Sequence, residues 1–424
     1  MADAFHTVTW RALPVWMVAV ALLLYGADAP LASLVLFWPA ALLVLVLVLR
    51  GRPAPTAWEL AAGFCLAAAA LLHVLTQRWP SAAPEMAALC LSAGLLFAVP
   101  RLARTRRAIT RLIDLILILA GLIGLAAFLD FVIDPSTQWG RPRPFHAGRL
   151  SAPFLSANTA ATFYGAILIF AGARLLEAMR RDVPASSNSD RFGERARSLL
   201  VPVSVLLVCG TDLFLSASRA GISLAMTGLL ALLVWDSLSH WRGRPGEKGA
   251  RQAWVPTVFV GLSGLVFLMS GTLYASRLEA GLLDLADRTS AYAAYWDALR
   301  LRPLFGDGLG SFAFTNDVIA TAEQAAVLQD QGAAHNVLLQ WGLQTGLVGT
   351  TVMLTFLAAM MEGVRRGLSR RRRQRTQLRA VLVVALFMAG HGMVDYALEI
   401  PAMSALLAVW LGLGRAILWR PRGG

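Results

Sequence analysis

The chain has 424 residues, of which 57% are hydrophobic and only 15% charged, and its mean hydropathy is +0.61. Too few polar side chains remain to cover a soluble surface of this size, which excludes a soluble enzyme carrying one anchor. Lys and Arg number 38 against 25 Asp and Glu, a net charge of +13, but the arginines are spaced as a membrane would space them and give no reason to expect nucleic acid.

Apolar runs long enough to cross about 30 Å of hydrocarbon recur along the whole chain. In order they predict helices near 12–28, 31–49, 57–77, 84–100, 112–133, 158–178, 199–216, 220–237, 254–274, 336–362, 378–397 and 401–418. The first run, Leu13 to Ala27, is followed within three residues by another, so no cleaved signal is expected. Arginines crowd the links Arg50 to Arg52, Arg101 to Arg111, Arg180 to Arg197, Arg242 to Arg251 and Arg365 to Arg379, and every second link is poor in them. About twelve spans with that alternation place both termini in the cytoplasm. The expected fold is all-α: a polytopic integral membrane protein with a single membrane domain over residues 1–424. Cys65, Cys90 and Cys209 all lie in apolar runs without paired spacing, so neither a disulfide framework nor a zinc site is expected.

Two links on the far side are long. The first, 134–157, carries Arg141, Arg143, His146 and Arg149. The second, 275–335, joins the ninth and tenth helices, and from Ser276 to Ala334 it has four arginines against eight acids, a net charge of −4. Leu278, Leu282, Leu285, Tyr292, Trp296 and Leu299 fall at helical spacing, which predicts an amphipathic helix along the membrane interface, stopped by Pro303. A glycine-rich turn at Gly306, Gly308 and Gly310 is followed by a second helix expected from about Asp317 to Asp330.

Arg219 sits in a tight link on the far side, where the charge rule gives no reason for an arginine. A snorkelling or carboxylate-paired side chain is one reading; a grip on a lipid-linked phosphate or diphosphate is the other. Arg288 follows Asp284 by four residues, so an ordinary ion pair competes with anion binding there. Arg149, with Arg141 and Arg143, makes a third cationic region on the same face, and the three together point to an anionic substrate. His335 stands where the large loop meets the tenth helix, a place from which imidazole can take a proton from a hydroxyl; a structural histidine is the alternative. His391 and Asp395, four apart, are expected on one face of the eleventh helix. His73, His146 and His240 have no comparable context. There is no phosphate-binding loop, no His-Glu-x-x-His helix and no tight acidic cluster, so the expected chemistry uses neither nucleotide, metal nor other cofactor.

The pieces resemble the bacterial O-antigen ligase and O-antigen polymerase superfamily of membrane glycosyltransferases. The resemblance runs over roughly residues 140–400. It is carried by Arg149 to Asn158 (RLSAPFLSAN), by Ser218-Arg219-Ala220-Gly221, by Arg288 with Tyr295-Trp296 leading to Pro303 to Phe312 (PLFGDGLGSF), and by His335-Asn336 followed by Gly342 to Gly349 (GLQTGLVG). Many members have Asn-Pro-Asn where this chain has Ser156-Ala157-Asn158. The resemblance implies a GT-C-like enzyme of the bacterial inner membrane that moves a glycan from undecaprenyl diphosphate to lipid A core on the periplasmic face. It implies His335 as general base, Arg219 and Arg288 as holders of the departing diphosphate, and Arg149, Asn158 and Asp395 as supporting substrate-binding or orienting residues. A polymerase or protein O-oligosaccharyltransferase of the same superfamily, and more distantly a lipid-linked glycan transporter, are the alternatives.

Overall fold

A computed structural model describes residues 2–50, 56, 59, 82–143, 148–180, 188–241, 288–321, 325–328 and 331–419. In chain order these form helices α1 (Ala2–Leu23), α2 (Pro30–Leu49), α3 (Ala82–Leu102) and α4 (Arg106–Ile133), then strands β1 (Thr137–Gln138) and β2 (Arg141–Pro142). There follow α5 (Ala157–Met179), α6 (Asn188–Leu215), α7 (Arg219–Trp241), α8 (288–301), α9 (Phe312–Ile319), α10 (Ala325–Leu328), α11 (Val337–Arg370), α12 (Arg375–His391) and α13 (Pro401–Trp419). Among the described residues eight helices are long and apolar enough to cross a membrane: α2, α3, α4, α5, α6, α7, α11 and α13. The protein is an all-α, polytopic membrane protein, as its hydropathy predicts. The runs expected at 57–77, Glu59 apart, and 254–274, and the start of the amphipathic helix with Asp284, lie outside the described residues. So do His73 and His146.

The chain divides into two compact units. The first comprises Met1–Thr105, Ser276–Glu362 and Gly392–Gly424, the second Arg106–Ala275 and Gly363–His391. In the second unit α5 is the central helix, buried along nearly its whole length and packed by α6, α7 and α12. Small residues make that possible: a Cβ on Gly165 would stand 2.6 Å from the Phe387 ring and 2.7 Å from the Ala225 methyl. In the first unit α13 packs on α3, and α3 on α2, with Gly412 against Val99.

Four local expectations are corrected. The 134–157 link, read as loop, holds a hairpin whose turn residues Trp139 (φ 51) and Gly140 (φ 75) both take the left-handed geometry that matches strand twist. The helix expected from Asp317 to Asp330 is instead α9, which starts earlier, and the short α10, separated where Ala320 turns extended. The eleventh helix ends at His391, so Asp395 lies beyond it in a turn and the two residues do not share a helix face. Hydropathy could not see that end, because the following Gly392-Met393-Val394 is as apolar as the helix.

The fourth correction concerns α11, which is broken at Gly346 (φ 63, ψ −173). An unbroken helix would bond Leu347 N to Leu343 O and Val348 N to Gln344 O. Here those two amides donate to Pro303 O (2.8 Å) and Leu304 O (3.1 Å), while the carbonyls accept from Asp307 N (2.7 Å) and Gly308 N (2.9 Å). The 303–308 segment is thus spliced into the helix ladder, and the four backbone groups of α11 that the break would strand are satisfied. Only glycines permit the approach: a Cβ on Gly306 would lie 2.4 Å from Leu343 O, and one on Gly346 2.2 Å from Leu304 O. The two glycine-rich stretches are the two halves of one joint.

Candidate active site

In the second unit the chain entering α5 and the turn between α6 and α7 are tied by Arg149. Its Nε donates to Ser216 O (2.7 Å) and its Nη2 to Asn158 Oδ1 (2.8 Å), and Leu150 N donates to Leu215 O (3.0 Å). Arg143 braces the same segment from behind: it donates to Arg149 O (2.8 Å), Ser151 Oγ (2.7 Å) and Thr137 O (2.8 Å). Burial lowers the Arg143 pKa, while nearby Asp130 and Asp134 oppose the shift. Ser156 caps α5 through Asn158 N and Thr159 N. Ser218 caps α7: its Oγ accepts from Gly221 N (3.3 Å), after Ala217 at φ 47.

Arg219 is therefore the first residue of α7. Helix electrostatics do not reward a cation there, because the free amides already make that end positive. The same amides favour an anion in front of them. Where α5 and α7 cross near these ends, a Cβ on Gly221 would come 2.6 Å from Ala161 Cβ. The half-buried Arg149 thus stands beside Asn158 at the amino end of α5, and the crossing brings the amino end of α7, which begins at Arg219, close to it. Arginine in that setting can grip two oxygens of a diphosphate at once.

In the first unit three of the predicted residues meet at the turn 392–396. Asn336 caps α11, its Oδ1 accepting from Leu338 N (3.0 Å) and Leu339 N (3.1 Å), and its Nδ2 donates to Met393 O (3.0 Å). Val337 N donates to Gly392 O (2.7 Å) and Arg288 Nη1 to Val394 O (2.7 Å). His335 is held at φ 52, a conformation that costs a branched or bulky side chain energy and marks a backbone fixed by its surroundings. Its Nδ1 lies 3.9 Å from Oδ1 of the fully buried Asp395, beyond hydrogen-bond reach, and its side chain is 29% exposed. The other Asp395 oxygen accepts from Ala397 N (3.0 Å).

Two residues that motif reading did not single out complete this corner. The Tyr292 hydroxyl donates to His335 O (2.8 Å), and the edge of the Tyr396 ring meets the imidazole at 4.9 Å between centroids. In the sequence Tyr292 belongs to an apolar stripe; its place on the helix that also carries Arg288 is the available signal. His391, the last residue of its helix, contacts the Thr162 hydroxyl through Nδ1 at 2.6 Å.

Residues 204–354 match the family model described as O-antigen ligase. That stretch, about a third of the chain, is similar to the O-antigen ligase family. It contains Arg219, Arg288 and His335 and stops short of Arg149, Asn158 and Asp395. Both halves of the α11 joint also fall within the O-antigen ligase region. No curated protein matches the chain.

Proposed function

We propose that the protein is an O-antigen ligase that transfers a glycan from undecaprenyl diphosphate to the lipid A core oligosaccharide at the periplasmic face of the bacterial inner membrane, both termini being cytoplasmic. The observation that carries the reading is His335: a partly exposed imidazole, fixed at the mouth of a membrane helix beside a buried aspartate. Asp395 orients the ring and stabilises it when protonated; His335 takes the proton of an acceptor sugar hydroxyl as that oxygen bonds to the anomeric carbon. The bond from that carbon to the diphosphate oxygen breaks on the opposite face, with inversion. Arg149, Arg219 and Arg288 stabilise the negative charge that grows on the departing undecaprenyl diphosphate, and Asn158 holds Arg149 in place. The donor's own glycosyl–diphosphate bond drives the transfer, so the reaction runs without nucleotide or metal.

The test is reconstitution with lipid-linked O-antigen and core-only lipopolysaccharide, in EDTA and without nucleotide, comparing wild type with His335→Ala on a gel. A ladder of glycosylated core from wild type alone is expected. Lengthened glycan still on its carrier would make the protein a polymerase, and transfer undiminished in His335→Ala would remove the proposed base.

A further inference from the structure

The joint between 303–308 and α11 leaves a group of large apolar side chains bare. Leu301 is 80% exposed and Phe305 71%, with Leu304 exposed between them. Beside them on α11, Leu347, Val348 and Val352 are exposed as well. The same stretch buries other apolar groups properly: Tyr295, Leu299 and Phe312 form a core with Leu328 and Leu343. Hydrophobic side chains were therefore available for the interior, and Leu301, Leu304 and Phe305 are a second, outward set.

Depth says what covers them. Arg365 and Arg366 mark one end of the apolar length of α11, and the roughly 20 residues needed to cross the hydrocarbon, counted back from there, reach Gly346. The spliced segment is hydrogen-bonded at that level. Backbone of this kind is tolerated at membrane depth only where its polar groups are satisfied; here Pro303 O, Leu304 O, Asp307 N and Gly308 N are taken up by the ladder and Gly306 N by Arg302 O. Around the apolar group stand interface residues: Trp296, half exposed, with the Arg300 guanidinium 5.6 Å above its ring, and Arg302 paired to Asp307 at 2.8 Å.

We propose that Leu301, Leu304 and Phe305 form a re-entrant ledge seated among the lipid acyl chains, on the leaflet at the His335 end of α11, with Trp296, Arg300 and Arg302 at headgroup level. The inference needs only that α11 crosses the membrane, and it stands whether or not the transfer reaction is as proposed. The ledge anchors the loop that carries Tyr292 and Arg288 to the bilayer surface, where a lipid-linked substrate arrives.

The experiment uses full-length protein with Cys65, Cys90 and Cys209 changed to alanine, single Leu301→Cys, Phe305→Cys and Arg300→Cys variants bearing a nitroxide, and phosphatidylcholine–phosphatidylglycerol vesicles. Oxygen should relax the labels at 301 and 305 more than a water-soluble nickel complex does, and the order should reverse at 300. Nickel access at 305 equal to that at 300 would put the ledge in water and overturn the proposal. Protection from both reagents would mean cover by protein, a second copy included, and would overturn it too. As an independent readout, Phe305→Glu should lower the unfolding temperature in vesicles; an unchanged value would again count against lipid contact.

Discussion

The two ends of α5 hold their arginines differently. At the carboxyl end Arg174 pairs with Asp114 (2.8 Å) and Glu177 (2.6 Å), and the fully buried Asp236 takes both Arg180 and Arg379, with Thr376 donating to it as well. At the amino end the described bonds of Arg149 run to oxygens of a backbone carbonyl and an asparagine amide. The first unit repeats the contrast on its own helices. Glu59 binds Arg101 (2.9 Å) and Arg415 (3.1 Å) at one end of α3 and α13. At the other end Glu85 is held by Gly310 N (2.9 Å) and Gln344 Nε2 (3.5 Å), and one Glu399 oxygen is buried without a hydrogen-bond partner. One end is built to cancel charge and fix the helices. At the other end the described hydrogen bonds of Arg149 and Glu85 run to neutral groups, which fix the side chains in place.

The largest expected effects lie at the cancelled end. Asp236→Ala strands two buried guanidiniums and should cost about 3–5 kcal/mol, since removing one partner leaves uncompensated charge; Glu59→Gln should behave likewise. Thermal unfolding in lipid nanodiscs measures both. A loss under about 1 kcal/mol from either would mean that those arginines find water, and the contrast between the ends would fail.

Arg149→Ala should be milder in stability, about 1.5–3 kcal/mol for its charged hydrogen bonds, and harsher in function, with transfer down about 100-fold or more. Arg149→Lys should not restore transfer, because an ammonium cannot reach Ser216 and Asn158 in two directions while gripping an anion. Transfer by the folded alanine variant at wild-type rate would make Arg149 a brace only. Ser156→Ala, which removes the cap of α5 and touches no charge, should cost about 1 kcal/mol and leave transfer per folded molecule unchanged.

Much of this asymmetry was legible in the sequence. The arginine-rich links mark one end of the helices, and Arg149, Arg219, Arg288 and His335 stand out at the other by their position and by the motifs of the resemblance. What stayed hidden was non-local. The exchange of ladder bonds at Gly346 joins residues some 40 apart in the chain, and periodicity within a segment carries no trace of it. The end of α12 was invisible for another reason: a turn of Gly392, Met393 and Val394 is apolar enough to extend the run, although its backbone leaves the helix to present carbonyls to Arg288 and Asn336. Asp395, expected on a helix face shared with His391 and, from the resemblance, as an orienting residue, lies beyond the helix, and that turn brings it to 3.9 Å from His335.

A further expected effect is one of pH, and it sharpens the contrast in the first unit. Glu399, in the link before α13, has its pKa pushed up to about 8 from 4.5, by burial first and by the nearby negative charge of Glu85 second, against a lowering hydrogen bond from Trp341. Raised in the folded protein, that carboxyl keeps its proton where the unfolded chain has already lost it, so unfolding releases a proton between about pH 4.5 and 8. Stability should therefore fall as pH rises through that window and level off above it. The expected change between pH 6 and 8 is a decrease in Tm on the order of 2–4 °C, and Glu399→Gln, neutral at every pH, should lose that part of the slope. Parallel curves for wild type and Glu399→Gln would show that the carboxyl is ionised in the folded protein, with a cation or water beside it, and the two ends of the first unit would then differ less in how they handle charge.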